Sequence, residues 1–267
     1  MELTIKDTTN ASKGTMNVPV QFDEPIREDI IKKAAQAYWA NNRQTYGAFS
    51  EAGKRPSAKL SRRRHKYRGG YGFGISRVPR KIMSRRGTRM SWVGAFAPGT
   101  VGGRRAHAPK AEKIWGHKIN TKERRKALRS AMAATINKEV VVAKGYKVPK
   151  DYPFAVTPTI EELSKTKDLV ASLRALGFAD ELARTSERKI RAGKGKSRGR
   201  KYKTKTGVLI VVSKKCPLLA LDNIPGVDIV DVHHLDINML APGSSAGRAS
   251  LWTESALKAV GDEKLYL

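Results

Sequence analysis

Two short glycine-rich stretches contain residue types that could bind nucleotides. Residues 69–74 read GGYGFG, like a dinucleotide-binding loop, but that loop needs a strand before it and a helix after it, and the sequence predicts neither. Gly195, Lys196 and Ser197 resemble the end of a P-loop, but Ile190 stands where a P-loop has its first glycine. We therefore exclude a P-loop and interpret residues 69–74 as flexible backbone that can run close to phosphates.

A third stretch combines histidines with carboxylates. His233 and His234 follow a predicted strand, and Asp231 and Asp236 lie close by in the sequence. Adjacent residues of a strand point to opposite faces, so the two imidazoles should diverge. A metal site or an acid–base pair is one interpretation of this stretch. The other interpretation, which we favour, is that these are ordinary residues at the end of a strand.

The chain has one cysteine, Cys216. A single cysteine excludes an intrachain disulfide and a cysteine metal cluster, and it favours a reducing, intracellular location. The neighbouring Lys214 and Lys215 could lower the pKa of the thiol, but no histidine lies beside it, so we expect a small buried hydrophobe. These residues predict no catalytic centre, no metal site and no cofactor.

Positive charge is concentrated in two segments. The chain has 53 Lys and Arg against 24 Asp and Glu, a net charge of +29. Residues 43–118 hold 20 of the cations with only Glu51 and Glu112, and residues 184–205 hold 11 with only Glu187. The rest of the chain is nearly balanced. Charge at this density repels itself unless a polyanion neutralises it, so the sequence predicts a nucleic-acid partner.

Large rings are interleaved with the cations of the longer segment. They are Tyr67, Tyr71, Phe73, Trp92, Phe96 and Trp115. Arginine grips phosphate with two hydrogen bonds and rings stack on unpaired bases, a combination typical of binding to structured RNA. Three alternatives stay open: a disordered tail that binds DNA nonspecifically, an enzyme whose basic arms dock its substrate, and a chromatin-type architectural protein. A tail would be expected at a terminus, and an architectural protein would not need the rings.

An α/β domain has to hold both basic segments. The predicted strands are residues 18–22, 140–142, 154–156, 208–212 and 227–232. The predicted helices begin at residues 23–25, at Asn120 as a capping box, and at residues 159, 178, 217 and 253. Their alternation predicts an α/β fold with a mostly parallel central sheet and helices on both faces. Residues 1–42 and 119–267 would form this single globular domain, with a long extended basic internal loop at 43–118 and a shorter basic insertion at 184–205. No apolar run is long enough to span a membrane, and no secretion signal is recognised.

Three specific stretches resemble the family of large-subunit ribosomal protein four, of the archaeal and eukaryotic type. They are VGGRRAHAPK at 101–110, NTKERRKALRSAMAA at 120–134 and RKIRAGKGK at 188–196. The closing WTESA at 252–256 is also similar, and the absence of a long charged carboxy-terminal extension favours the archaeal branch. The likeness spans nearly the whole chain.

The resemblance implies a structural, non-enzymatic constituent of the large ribosomal subunit, cytoplasmic within the ribosome. It implies that the long loop reaches the nascent-peptide tunnel and forms a constriction with the loop of a second ribosomal protein. The implied partners are large-subunit rRNA, other large-subunit ribosomal proteins and the nascent polypeptide, with no membrane. The loop tip would lie between Ile82 and Phe96, and the residues nearest the peptide would be Arg85, Arg86, Thr88, Arg89, Met90 and Trp92.

The residues predicted to bind rRNA are 22 of the 31 cations of the two segments and one histidine. In the loop they are Arg55, Arg62, Arg63, Arg64, Lys66, Arg68, Arg77, Arg80, Lys81, Arg85, Arg86, Arg104, Arg105, His107 and Lys110. In the insertion they are Arg188, Lys189, Arg191, Lys194, Lys196, Arg198, Arg200 and Lys201. We expect the loop to be mobile without RNA and to become ordered as counterions are released on binding.

Overall fold

The computed structural model describes residues 1–66, 69–214 and 216–267. The chain divides into two units, each with its own internal contacts. Unit 1 comprises Met1–Asn42 and Gly116–Leu267, and unit 2 comprises Arg43–Trp115.

The strands and helices of the described residues follow in chain order. The strands are β1 Glu2–Lys6, β2 Ser12–Asn17, β3 Arg80–Arg86, β4 Arg89–Gly94, β5 Phe154–Val156, β6 Lys189–Ile190, β7 Tyr202–Lys203, β8 Leu209–Val212, β9 Asp228–Asp231 and β10 Ser250–Thr253. The helices are α1 Glu28–Asn41, α2 Thr121–Ile136, α3 Lys138–Ala143, α4 Thr166–Ala175, α5 Ala179–Ser186, α6 Ile237–Leu240 and α7 Glu254–Asp262. Short 3-10 helices lie at Val20–Phe22, Pro158–Glu162, Lys196–Arg198, Pro217–Ala220, Val232–His234 and Pro242–Ser244.

Unit 1 is built on a six-stranded sheet in the order β2-β1-β5-β10-β8-β9. The β1–β2 pair is antiparallel and every other pair is parallel. The outermost strand β2 has the sequence SKGTMN and is exposed along almost its whole length. The predicted mostly parallel α/β sheet is confirmed.

Side chains of the central strands bury both faces of the sheet. Leu209, Val211 and Trp252 belong to one apolar cluster, which includes Ile31 of α1 and Leu128 of α2. Ile210, Val212 and Leu251 belong to a second cluster, which includes Leu169 and Leu173 of α4 and Phe178 before α5. Because successive side chains of a strand alternate between faces, a strand with helices on both sides must be apolar throughout. The continuous apolar run at 208–212 therefore predicted β8 correctly.

Several predicted elements were wrong, and local hydrogen bonds explain one of them. Residues 140–142 are helical rather than extended, since Asn137 Oδ1 accepts from the backbone N–H of Glu139 (3.0 Å) and of Val140 (3.4 Å) and so caps α3. Residues 18–22 contain a 3-10 turn in place of a strand. The first long helix begins at Glu28 instead of at residues 23–25.

The predicted capping box at α2 was also wrong. Asn120 is the N-cap residue but its side chain makes no capping hydrogen bond. Glu123 instead accepts from Lys33 Nζ of α1 at 2.7 Å. Glu123, which was expected to bond to the start of its own helix, thus joins α2 to α1.

Unit 2 contains a β-hairpin that the sequence did not predict. Strands β3 and β4 pair in antiparallel order and are joined by Gly87 and Thr88, with Gly87 at a φ of 58°. The region before the hairpin is tied to it by a bridge between Lys59 and Arg80. Within the described residues, no helix is both long and apolar enough to cross a bilayer.

Candidate nucleic-acid interface

The cations of unit 2 greatly outnumber its anions. Among the residues that the structure describes, one ion pair lies in this unit, between Arg55 Nε and Glu51 at 3.8 Å. Two carboxylates cannot neutralise the 20 cations of residues 43–118. Like charges this close are stable together only with external counterions or a polyanion. The surface of unit 2 is therefore suited to an anionic partner.

The predicted RNA-binding residues are mostly accessible. Arg80 is buried, Lys81, Arg104 and Arg191 are half-buried, and the other described members of the set are exposed. Arg68, together with the predicted stacking ring Tyr67, lies outside the described residues. The exposed set can therefore reach a ligand without rearrangement of the core.

The register of the hairpin separates its residues onto two faces. Arg85 pairs with Met90 and Arg86 pairs with Arg89, and a register shift falls between Ile82 and Ser84. Paired residues share a face and neighbours on one strand alternate. One face carries Lys81, Ser84, Arg86, Arg89, Ser91 and Val93, which we call the cationic face. The other carries Arg80, Ile82, Arg85, Met90 and Trp92, which we call the tryptophan face.

The two faces differ in exposure as well as in chemistry. Along β4, Arg89, Ser91 and Val93 are exposed, whereas Met90 and Trp92 are half-buried. The cationic face offers guanidinium, ammonium and hydroxyl donors to solvent, the groups that bind phosphate oxygens. The predicted peptide-facing set, Arg85 to Trp92, therefore does not share one surface.

Arg80 of the tryptophan face is used internally. It is only 9% exposed, and its guanidinium donates to the carbonyl oxygens of Ser76 and Val78 and to Ser76 Oγ. Its carbon Cζ lies 5.1 Å from the centroid of the Trp92 ring. This predicted RNA-binding residue therefore stabilises the hairpin through its own contacts.

The two ends of unit 2 meet in a cluster of rings and cations. The rings of Tyr46 and Trp115 lie 4.8 Å apart, and Arg43 Cζ lies 4.7 Å from the centroid of Trp115. Lys113 Nζ lies 5.3 Å from the same ring. The Nε1–H group of Trp115 is buried and has no hydrogen-bond partner among the described residues. The cluster brings three cationic or donor groups to one place.

The second basic insertion is fixed at its base. Glu181 is buried and forms two hydrogen bonds with Arg184, at 2.6 and 2.8 Å. Arg184 also donates to the carbonyl oxygen of Thr206 at 2.7 Å, which joins the two ends of the insertion. Farther out, β6 and β7 form a two-residue ladder. The other cations of the insertion thus lie on a loop whose base is fixed by Arg184 and whose outer part is paired through β6 and β7.

Sequence reasoning missed one buried carboxylate, that of Glu161, which lies in the 3-10 helix Pro158–Glu162 and contacts the ends of two central strands. Glu161 accepts hydrogen bonds from Thr253 Oγ1 at 2.7 Å, from Ser255 Oγ at 2.5 Å and from Ser213 Oγ at 3.3 Å. Each partner lies 52 or more residues from Glu161 in the chain, so no sequence pattern could have indicated these contacts. Its described partners are hydroxyl and backbone donors. Through them Glu161 joins the end of β8, the end of β10 and the start of α7.

In the described residues, the imidazoles of the histidines considered as a metal or acid–base site each lie near one carboxylate only. His233 Nε2 lies 3.6 Å from Glu263, and His234 Nδ1 lies 3.4 Å from Asp231. No group of three or more metal-ligating side chains occurs in the described ranges. Cys216 is half-buried rather than buried as expected. Burial raises the pKa of its thiol, which does not favour a reactive thiolate.

Comparisons with known proteins give a consistent result. Residues 16–263 match the model of the ribosomal protein L4/L1 family. The chain is 45% identical to the large ribosomal subunit protein uL4 of Nanoarchaeum equitans, with all of both chains covered. It is 44% identical to the protein of that name from Methanococcoides burtonii, over 95% of each chain. It is 40% identical to that from Halobacterium salinarum, over 97% of this chain and 99% of the other.

Proposed function

The chain belongs to the ribosomal protein L4/L1 family, and from that premise we propose that its two basic segments bind and stabilise the RNA of the large ribosomal subunit. Its relatives are named as proteins of that subunit. The role of the chain is accordingly structural, in translation, and not enzymatic. We further propose that it resides in the cytoplasm as part of the ribosome.

One observation supports RNA binding above the others. Residues 43–118 carry 20 cations and two carboxylates, and most of the described cations among them are exposed. Neutralising phosphates releases condensed counterions, a gain that grows with each contact. Structured RNA supplies phosphates in three dimensions, which suits a unit whose cations lie on several loops and on a hairpin.

The two faces of the hairpin suggest which side of it meets RNA and which side meets the tunnel. We propose that the cationic face, with Lys81, Arg86 and Arg89, lies against rRNA. The tryptophan face would then be turned toward the peptide tunnel, with Arg85, Met90 and Trp92 near the nascent polypeptide and the loop of a neighbouring protein. Thr88, in the turn, would lie between the two. The division follows from the register, and the tunnel location follows from the resemblance.

Binding measurements on the purified chain test the proposed function. Transcripts of large-subunit rRNA domains, a small-subunit transcript of equal length and duplex DNA would be titrated over a range of salt concentrations. We expect tightest binding to a large-subunit transcript, with a slope of log affinity against log salt of about −0.7 to −0.9 for each phosphate neutralised. Equal affinity for duplex DNA would support the architectural alternative, and a flat salt dependence would overturn the proposal.

A second measurement addresses the assembled particle. The tagged chain would be expressed in a related archaeal host, and its lysate would be sedimented before and after a high-salt wash. Co-migration with the large subunit through the wash is the expected result. A chain that is released by the wash or that sediments with free RNA would contradict a structural role in the subunit.

A further inference from the structure

We propose that aromatic rings of unit 2 contribute to RNA binding indirectly, by holding arginine guanidinium groups in place, rather than by stacking on bases. This inference rests on the proposed RNA-binding function and specifies how the rings serve it. It also changes the role that the interleaved rings first suggested.

Rings and arginines lie in pairs throughout the unit. In each pair the guanidinium carbon Cζ lies within 6 Å of the centre of a ring, a distance typical of cation–π contact. The pairs are Arg43 with Trp115 (4.7 Å), Arg55 with Phe49 (4.7 Å), Arg77 with Tyr71 (5.3 Å), Arg80 with Trp92 (5.1 Å) and Arg104 with Phe96 (5.7 Å). The pairs therefore occur in every part of unit 2, from its first residue, Arg43, to its last, Trp115.

Four of the pairs share a local design. A ring and its arginine lie on either side of a turn that contains a glycine with positive φ. The turn glycines are Gly53 at 72°, Gly72 at 82°, Gly87 at 58° and Gly102 at 71°. At Gly102, between Phe96 and Arg104, this left-handed backbone returns the chain so that the guanidinium reaches the ring. The glycines of the segment therefore place rings and cations together.

Gly53 shows that two of these turns are also close to each other. A Cβ atom built on Gly53 would lie 2.5 Å from the Cα of Arg104, which leaves no room for a side chain. The turn of the Phe49–Arg55 pair thus contacts the backbone of the Phe96–Arg104 pair. The backbones of two ring–arginine pairs are therefore packed against each other.

Stacking on a ring leaves an arginine able to bind phosphate. A ring covers the flat face of the guanidinium, whereas its N–H donors lie around the edge. A long side chain that is already held loses less conformational freedom when a phosphate binds than a free one does. A ring with a guanidinium on one face also has less surface left for a base. The geometry therefore favours rings that position cations.

The pairs differ in how far they can serve this role. Arg80 is buried and its donors are used by neighbouring carbonyl oxygens, so the Arg80–Trp92 pair stabilises the hairpin. The Arg77–Tyr71 pair is exposed, and Arg77 Nη1 also donates to the Tyr71 hydroxyl at 2.9 Å. Phe49 is 59% exposed and Tyr71 is 38% exposed. These two exposed pairs are therefore the ones suited to a test.

A double-mutant cycle on the full chain separates the two roles of a ring. The variants are Tyr71→Leu, Arg77→Ala and the double substitution, with an oligo(A) single strand and an RNA duplex of equal length as probes. We expect Tyr71→Leu to weaken binding about two- to fivefold on both probes, the value of an exposed cation–π contact. In the Arg77→Ala background the same substitution should have no further effect.

Two results would overturn the inference while leaving RNA binding intact. One is a loss from Tyr71→Leu that persists in the Arg77→Ala background. The other is a loss confined to the single strand, since the bases of a duplex are not available for stacking. Failure of the wild-type chain to bind either RNA would overturn the proposed function together with the inference.

Controls exclude a change in folding. Tyr71→Phe keeps the ring but removes the hydroxyl that accepts from Arg77 Nη1, so its affinity should lie between those of the wild type and of Tyr71→Leu. Trp39→Leu removes an exposed ring of α1, outside both basic segments, and should leave binding unchanged. The same cycle on Phe49 and Arg55 provides an independent measurement if a variant at position 71 misfolds, and circular dichroism of each variant identifies such a case.

Discussion

Arg248 Nε donates a hydrogen bond to the carbonyl oxygen of Gly207 at 2.8 Å. The guanidinium is almost completely buried, donates also to the carbonyl oxygen of Met239 at 2.9 Å and forms an ion pair with Asp228. Gly207 lies two residues after the second basic insertion and two residues before β8. A buried cation of unit 1 thus fixes the point at which an exposed cationic segment joins the sheet.

Replacing Arg248 with Met should destabilise unit 1. The buried carbonyl oxygen of Gly207 and the partly buried one of Met239 would lose their donor, at a cost of about 1–3 kcal/mol for a buried group left unsatisfied. Urea-induced unfolding followed by circular dichroism measures the change in the free energy of unfolding. Arg174→Met, on the exposed side of α4, is the matched control and should change it by less than about 0.5 kcal/mol. Equal effects of the two substitutions would contradict the structural role of Arg248.

Deleting residues 62–81 should leave unit 1 folded and reduce the salt dependence of RNA binding. The deletion removes eight cations, and each lost phosphate contact should make the slope of log affinity against log salt shallower by about 0.7–0.9. A variant with Gln in place of Arg62, Arg63, Arg64 and Lys66 keeps the chain length and should change the slope in the same direction. An unchanged slope on large-subunit rRNA fragments would show that this segment does not bind phosphate.

Substitutions on the two faces of the hairpin should differ in effect. Arg86→Gln and Arg89→Gln each remove a cation from the cationic face and should reduce the salt slope by about one phosphate equivalent. Met90→Ala, next to Arg89 on the tryptophan face, should leave the slope unchanged. Filter binding over a range of salt concentrations gives all three values. A larger slope change for Met90→Ala than for the arginine variants would refute the proposed orientation.

Lys144 should make stability depend on alkaline pH. Its Nζ donates to the carbonyl oxygen of Ser245, and burial, assisted by the charge of Arg248, lowers its pKa from 10.5 to about 8. Between these values the unfolded chain binds more protons than the folded one, so this group makes stability rise with pH from about 8 to 10.5. The difference in unfolding free energy between wild type and Lys144→Met should therefore grow over that range. Parallel pH profiles would contradict the lowered pKa.

The parts of the fold that the sequence predicted are those with one dominant local signal. The run 208–212 is apolar on both faces and could only be a buried strand, and Thr253 caps α7 through a hydrogen bond from Ala256 N at 3.2 Å. Residues 140–142 are also apolar and β-branched, but a single capping side chain, Asn137, made them helical. A pattern of three residues cannot decide between a strand and a capped helix.

The candidate interface was predictable in composition but not in geometry. Charge counting located both basic segments, because electrostatic imbalance is a property of composition. The hairpin was missed because β3 lacks the alternation of apolar and polar residues that marks a half-buried strand, and in β4 this alternation covers only residues 89–92. The pairing of rings with arginines depends on turns between them, which residue spacing alone does not specify.

The polar edge formed by β2 affects whether copies of the chain aggregate. An open strand edge is a template for pairing with another copy, and such pairing leads to aggregation. Here the edge carries Ser12, Lys13 and Thr15, and the ladder behind it is interrupted by a bulge between Ile5 and Lys6. Lys13 and the bulge therefore disfavour the pairing of this edge with the sheet of another copy.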